Sequence, residues 1–223
     1  MTEETEELPS SKLGTKEYWD SAYNHELSNY KRNGDIGDVW FGEESIERVV
    51  TWMLESALVN VQSSVVDLGC GNGAFLLYLN AEGFTNLTGI DYSQEAIELA
   101  RTIAAEKKVN IKYEQVDLIN DEDKEKIKTS EFDVTHDKGT YDAVSLCPED
   151  PKSKRLSYIK AVHRITKENG LFIITSCNWV HHELIEHFSE YFSKEHIIPT
   201  PTFKFGGKVG TQVTCIVFRK VSK

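Results

Sequence analysis

The stretch Val65-Val66-Asp67-Leu68-Gly69-Cys70-Gly71-Asn72-Gly73 narrows the folds open to this chain more than any other. From Ser63 to Leu68 the residues are β-branched and apolar, the composition of a strand buried in a parallel sheet. Glycines follow at 69, 71 and 73, and Ala74 to Leu79 then reads as the first turns of a helix. A strand, a glycine turn and a helix in succession point backbone N–H groups into the crevice above a sheet. Glycine matters there because any Cβ would hold a ligand away from the main chain. Two ligand readings fit the spacing. Gly69, Gly71 and Ala74 match the dinucleotide pattern G-x-G-x-x-G/A, which suits a nicotinamide cofactor. Asp67, two residues ahead of the first glycine, can instead tie down the loop or meet a cationic ligand, and Gly73 adds a third point of close approach.

A chain of 223 residues suits one α/β domain with a small appendage. The formal charge of −11 argues against general nucleic-acid binding, which needs a basic surface to displace counterions. It fits a basic protein partner or a small molecule better. Cys70, Cys147, Cys177 and Cys215 stand singly, so reduced intracellular thiols are expected rather than a zinc site or a disulfide framework. No apolar run is long enough to span a bilayer and no secretory signal opens the chain, which leads to a cytosolic expectation.

In order, residues 1–11 are expected to be a disordered acidic tail, carrying Glu3, Glu4, Glu6 and Glu7. Residues 12–60 are expected to form a helical lid and a first packing helix, and residues 61–223 the main domain. Trp19, Tyr23 and Leu27 fall at helical spacing, either packed on the core or closing over the crevice. The glycine-rich loop from Asn33 to Gly42 holds Trp40 and Phe41, residues that exposed loops seldom carry without a packing or binding use. A second helix is expected to bury Ile46, Val49, Val50, Met53, Leu54 and Ala57 on one stripe.

Beyond the glycine loop, Asp91 closes a second strand 18 residues after Gly73, near the spacing at which a carboxylate meets ribose hydroxyls. Asp117-Leu118 closes a third strand, placing an acid for an adenine amine and a leucine for the ring. Asp137 follows a fourth strand, and Cys177-Asn178-Trp179 a fifth, at the carboxyl ends where an open α/β sheet places chemistry. His181, His182 and His187 lack metal-ligand spacing and read as solvated or packing residues, so no metal is expected. Glycine-rich residues 206–210 between Glu195 and Phe218 make the chain end a β-hairpin. Five strand–helix alternations ending in a hairpin describe a doubly wound, mostly parallel, Rossmann-like sheet of seven strands. They do not describe a dehydrogenase made of two similar halves.

Asp67-x-Gly69-x-Gly71-x-Gly73 resembles motif I of the class I S-adenosylmethionine-dependent methyltransferases. Further segments recur with it: Tyr18-Trp19-Asp20, Trp40-Phe41-Gly42-Glu43-Glu44-Ser45, Gly89-Ile90-Asp91-Tyr92-Ser93, Asp137-Lys138-Gly139-Thr140, Thr175-Ser176-Cys177-Asn178-Trp179, and Pro199-Thr200-Pro201 with Phe205-Gly206-Gly207. Together, from about Leu13 to Lys220, they resemble the eukaryotic lysine methyltransferases of translation elongation factor 1-alpha. The resemblance implies S-adenosylmethionine as cofactor and elongation factor 1-alpha as protein substrate. It also implies a cytoplasmic setting, with the nucleus as a further one; the charge and the lack of a spanning run add the expectation of no direct nucleic-acid or membrane partner. An Asn-Pro-Pro-Tyr signature for base or glutamine methylation does not follow the fourth strand. Cys147-Pro148, just past that region, has no role in this reading.

On this reading Trp40, Asp67, Gly69, Gly71, Asp91, Tyr92, Asp117 and Leu118 hold the cofactor. Asp137 positions the substrate amine or receives its proton, and Tyr141 and Trp179 wall its channel through their ring faces. Asp137 as a loop anchor, and Tyr141 and Trp179 as core packing, are the competing structural readings. The competing functions are methylation of another protein or a small molecule, and a binding protein that keeps the cofactor fold without catalysis.

Overall fold

The computed structural model describes residues 7–129, 131–205, 208–211 and 213–222. Its centre is β1 (Val65–Leu68), four residues all buried, paired in parallel with β2 (Leu87–Asp91) on one side and β4 (Phe132–Lys138) on the other. β3 (Lys112–Gln115) adds to β2, and β5 (Thr166–Ser176) to β4, both in parallel. The chain then reverses. β9 (Thr214–Lys220) lies antiparallel to β5, and β6 (Phe192–Ile197) antiparallel to β9 at the sheet edge. The sheet order is β3-β2-β1-β4-β5-β9-β6, seven strands as expected. The expected terminal hairpin is β6 with β9, and its outer end forms a separate ribbon of β7 (Thr202–Phe205) and β8 (Lys208–Thr211). The Gly206-Gly207 turn lies outside the described residues.

Helices cover both faces because each has an apolar stripe to bury. On one face α2 (Glu43–Glu55), α3 (Ala74–Ala81) and α4 (Gln94–Glu106) bring Ile46, Met53, Phe75, Leu79, Ile97 and Ala100 into one cluster with Val65 and Leu87. The α2 stripe is narrower than expected: Leu54 is 46% exposed and the helix stops at Glu55, before Ala57. On the other face α6 (Thr140–Ser145), α7 (Pro151–Ile165) and α8 (His181–Phe188) bury Tyr141, Tyr158, Val162, Leu184 and Phe188 against Val66, Leu68 and Phe172. The four-residue α5 (Asp121–Lys124) sits between β3 and β4.

α1 (Lys16–Asn33) starts where the Thr15 hydroxyl accepts the Tyr18 N–H and ends at Gly34, whose φ of 70° only glycine adopts without strain. It packs Leu27 and Tyr30 onto Leu99 and Ile103 of α4, so it extends the wall of the domain. The acidic tail is ordered where described. Glu7 receives both terminal nitrogens of Arg155 at 2.8 and 3.1 Å, Leu8 packs on the α7–α8 cluster, and the Ser11 N–H donates to the Leu146 carbonyl. A guanidinium 9% exposed needs a carboxylate partner, and Glu7 is that partner, which is why this part of the tail is not free. Residues 1–6 lie outside the described ones.

Candidate active site

The order of strands reverses between β1 and β4, and a crevice of about 610 Å³ opens above their carboxyl ends. Its floor is the glycine loop. A Cβ on Gly69 would fall 2.1 Å from the Thr140 hydroxyl, and one on Gly71 2.4 Å from the Tyr23 hydroxyl. The glycines are thus required by the protein's own walls as well as by any ligand. The loop is also stapled from the side. Asp91 accepts the Gly71 N–H at 3.0 Å on one carboxylate oxygen and the Ser93 N–H at 2.9 Å on the other. Burial raises its pKa to about 6 against the pull of those donors, and each oxygen keeps a lone pair for a further donor in the crevice.

Trp40, Gly69, Gly71, Asp91, Tyr92, Asp117 and Leu118, all predicted to hold the cofactor, line this one crevice. Ile90, Val116, Leu118 and Val144 make its apolar side. Asp117 is not free in it: its carboxylate pairs with the Lys16 ammonium and also accepts the Ile119 N–H at 3.0 Å. Lys16 in turn lies 5.3 Å over the Tyr92 ring, and the Tyr92 hydroxyl donates to the Lys16 carbonyl at 3.2 Å. Asp67 does not line the crevice. It is 4% exposed and meets His136 Nδ1 at 2.7 Å across the β1–β4 pair, with the His136 ring stacked 3.6 Å from Phe75. It ties two strands together beneath the loop, its carboxylate turned to His136 and away from the crevice.

The roof comes from the N-terminus. Trp19 sits edge-on to Trp40 at 5.0 Å, stacks on Tyr23 at 6.1 Å and donates its indole N–H to the Leu13 carbonyl at 2.7 Å. The Asn72 amide reaches up from the glycine loop to the carbonyls of Ile36 and Asp38 at 3.0 and 3.3 Å. Lys138, at the end of β4, donates to the Trp40 carbonyl at 3.1 Å, and burial pushes its ammonium below the usual lysine range.

The three residues predicted to act on the substrate are elsewhere. Asp137 is fully buried, accepting the Thr140 N–H and the Tyr141 N–H at 2.9 Å each and the Tyr158 hydroxyl. It anchors the first turn of α6, whose leading amides have no partner within the helix. Burial, and next the charge of Asp142, raise its pKa to about 7 against those three donors. Tyr141 is 1% exposed, its hydroxyl 3.0 Å from His187 Nδ1, and it packs on Phe188 and Tyr158. Trp179, 4% exposed, donates to the Ser145 hydroxyl at 3.1 Å and carries Arg155 over its face. The loop-anchor and core-packing readings hold for all three. A strand alternates sides, and residue 137 faces α7 whereas residue 138 faces the crevice.

Sequence reasoning put Cys177 and Asn178 at a strand's carboxyl end but assigned a role to none of the residues that do line this end: Lys138, Thr140, Asp142, Cys177 and Asn178, with Cys147 and Lys154 on the rim. Asp142 holds the turn after β5 by accepting the Ser176 hydroxyl and the Cys177 N–H. The period of two in β4 was the signal available for Lys138, and the end of β5 that for Cys177 and Asn178; nothing local marks the others.

The comparisons with known proteins agree with this arrangement. A family described as "Methyltransferase domain" matches residues 60–214. EEF1A lysine methyltransferase 2 of Danio rerio is 46% identical over 219 residues, covering 97% of this chain and 91% of the relative. The protein-lysine N-methyltransferase EFM4 of Saccharomyces cerevisiae is 37% identical, covering 97% of this chain and 98% of its own. Among solved structures, the N-methyltransferase NodS of Bradyrhizobium japonicum in complex with S-adenosyl-L-homocysteine has the same fold. It superposes with a TM-score of 0.65 at 18% identity, over 92% of this chain and 99% of its own. With the seven-stranded sheet, the glycine loop at its reversal point and near full-length identity of this order, the chain belongs to the class I S-adenosylmethionine-dependent methyltransferases, in the family of the elongation factor 1-alpha lysine methyltransferases.

Proposed function

We propose that the chain transfers methyl groups from S-adenosylmethionine to a lysine side chain of translation elongation factor 1-alpha, in the cytoplasm. The observation that carries the reading is the crevice itself. It joins a glycine loop that brings bare backbone to the crevice, a buried acid with spare acceptor capacity and an apolar side wall under a roof of Trp19 and Trp40. Relatives that share 37–46% of the residues over nearly the whole chain bear protein-lysine methyltransferase names.

These residues fit the cofactor. Asp91 would take ribose hydroxyls, the Gly69–Gly71 backbone the amino-acid end, and Leu118 with Ile90 and Val116 the adenine. Asp117 would reach the adenine amine only by sharing its carboxylate with Lys16. When bound, the cofactor supplies an electrophilic methyl group on a sulfonium. The chain's own contribution is alignment and exclusion of water, which suits a displacement that disperses charge. Trp40 and Phe41 would flank an incoming side chain, and their ring faces attract an ammonium. That ammonium must lose its proton. At pH 7 a lysine of ordinary pKa, about 10.4, holds it by roughly 4–5 kcal/mol. Asp137 is walled off from the crevice, so it serves this step by positioning α6 and Thr140 and not by contact with the amine.

Incubation of the chain with S-adenosylmethionine and elongation factor 1-alpha, followed by mass spectrometry of the factor, tests the proposal. Methylated lysine is expected, formed faster as pH rises from about 7 to 9 while deprotonation limits the rate. Methyl groups on arginine or histidine, or none on lysine, would overturn it.

A further inference from the structure

Cys147 and Lys154 make a pair that methyl transfer leaves without a role. Cys147 follows α6 and Lys154 lies on the first turns of α7, and both line the crevice. The Lys154 ammonium donates to Cys147 Sγ at 2.9 Å. That is the length of an ordinary N–H···O bond, although sulfur is the larger atom. The backbone that carries each partner is held in place. The Cys147 N–H donates to the Val144 carbonyl at 3.3 Å, and Gly14 of the N-terminal turn is pressed so closely on the Leu146–Cys147 backbone that a Cβ there would fall 2.2 Å from the Leu146 carbonyl. The Lys154 backbone is set by the start of α7, where the Asp150 carboxylate accepts the Ser153 N–H and its carbonyl the Lys154 N–H. Of the other thiols, Cys70 and Cys215 are buried, and Cys177 is exposed on the same crevice. Cys147 is thus a half-exposed thiol, open to small oxidants, with an amine nitrogen held in contact.

We propose that Cys147 and Lys154 are an oxidative modification site, at which their Sγ and Nζ become joined through one oxygen atom. The Lys154 ammonium gives one proton to solvent; with dioxygen as oxidant the S–H bond and one N–H bond of the resulting amine then break, S–O and O–N bonds form, and the second oxygen atom leaves as water with those two hydrogens. Sulfur and nitrogen each give up two electrons, and dioxygen takes the four. Two molecules of hydrogen peroxide serve equally, leaving three molecules of water. An excess of a thiol reductant returns the free thiol and amine, as for other sulfur–oxygen states low on the oxidation ladder. The bridge needs only the contact already present, and it removes a cation from the crevice rim without moving either helix.

The test is read on the full chain and does not depend on the methyltransferase reading. The chain is treated with hydrogen peroxide, alkylated, and digested with trypsin without reductant. The expected product is the Cys147 peptide linked to the Lys154 peptide, heavier than their sum by one oxygen less two hydrogens. Trypsin does not cut after the bridged Lys154. Dithiothreitol should separate the two and restore cleavage, and neither Cys147→Ser nor Lys154→Arg should give the linked species. Recovery of Cys147 only as a sulfinic acid, or in a disulfide with Cys177, with Lys154 cleaved normally, would overturn the proposal. So would a linked species in which Cys147 is bound to a different lysine.

Discussion

Asp91 at the end of β2 and Asp137 within the end of β4 look alike in the sequence, each an acid that closes an apolar strand and precedes a helix. In the fold they part. Asp91 opens on the crevice while pinning Gly71 and Ser93, whereas Asp137 turns away from it to hold the start of α6 and the Tyr158 hydroxyl. Both are buried and both pKa values are raised, so neither burial nor titration separates a ligand-binding acid from a scaffold acid. What separates them is the element packed against each: a glycine loop with open space above it, or a helix with a tyrosine.

The sharpest way to break this comparison is Asp137→Ala. The change leaves two backbone N–H groups and the Tyr158 hydroxyl without an acceptor in the interior, at a cost of about 1–3 kcal/mol each. Urea unfolding should show a loss of about 3 kcal/mol or more. Unchanged stability with turnover abolished would make Asp137 a reacting group after all.

Asp91→Ala should act on the ligand first. Loss of charge-assisted bonds of about 1.5–3 kcal/mol each should weaken S-adenosylhomocysteine binding by at least roughly tenfold in calorimetry. Asp91→Asn, which keeps an acceptor for the loop, should recover part of it. Native affinity in the alanine variant would assign Asp91 to the scaffold beside Asp137.

A smaller effect should come from pH. Burial raises the pKa of Glu26 and of Asp137 to about 7, above the unfolded values near 4. A carboxyl raised on folding adds stability that is complete below its unfolded pKa and is lost as pH climbs through the folded one. His181 and His187, lowered by burial, work in the opposite sense, but below about 6.5. The thermal midpoint should therefore fall by roughly a few degrees from pH 6.5 to 8, since about 1 kcal/mol moves it about 2–4 °C in a chain of this size. Asp137→Asn should flatten that slope. A midpoint rising over the same interval would contradict the buried ionisations.

The sheet was legible because period and punctuation carry it: β1 is an unbroken buried run, and positive-φ glycines follow it at once. The cofactor half of the crevice was legible for a related reason, since Asp91, Asp117 and the glycines each sit at a strand end whose only open side is the crevice. The acceptor half was not. There the strand end is flanked by α7 on one side and the crevice on the other, and choosing between Asp137 and Lys138 requires knowing which side each faces. The roof and the tail were less legible still. Pairing Glu7 with Arg155, or Lys16 with Asp117, depends on contacts that no local pattern announces.

Those same contacts bear on how the chain is made. The partners of the N-terminal wall lie far downstream: Lys16 and Asp117 are 101 residues apart, Trp40 and Lys138 98, and Glu7 and Arg155 148. At about 5–20 residues per second, this segment leaves the ribosome roughly 5–30 s ahead of the surfaces it will cover. Within that interval α4 emerges and gives Tyr23 and Leu27 a surface to pack on, while Trp40 still lacks Lys138 and Glu7 still lacks Arg155. The crevice is therefore closed only when β4 and α7 arrive, by a segment made well before them.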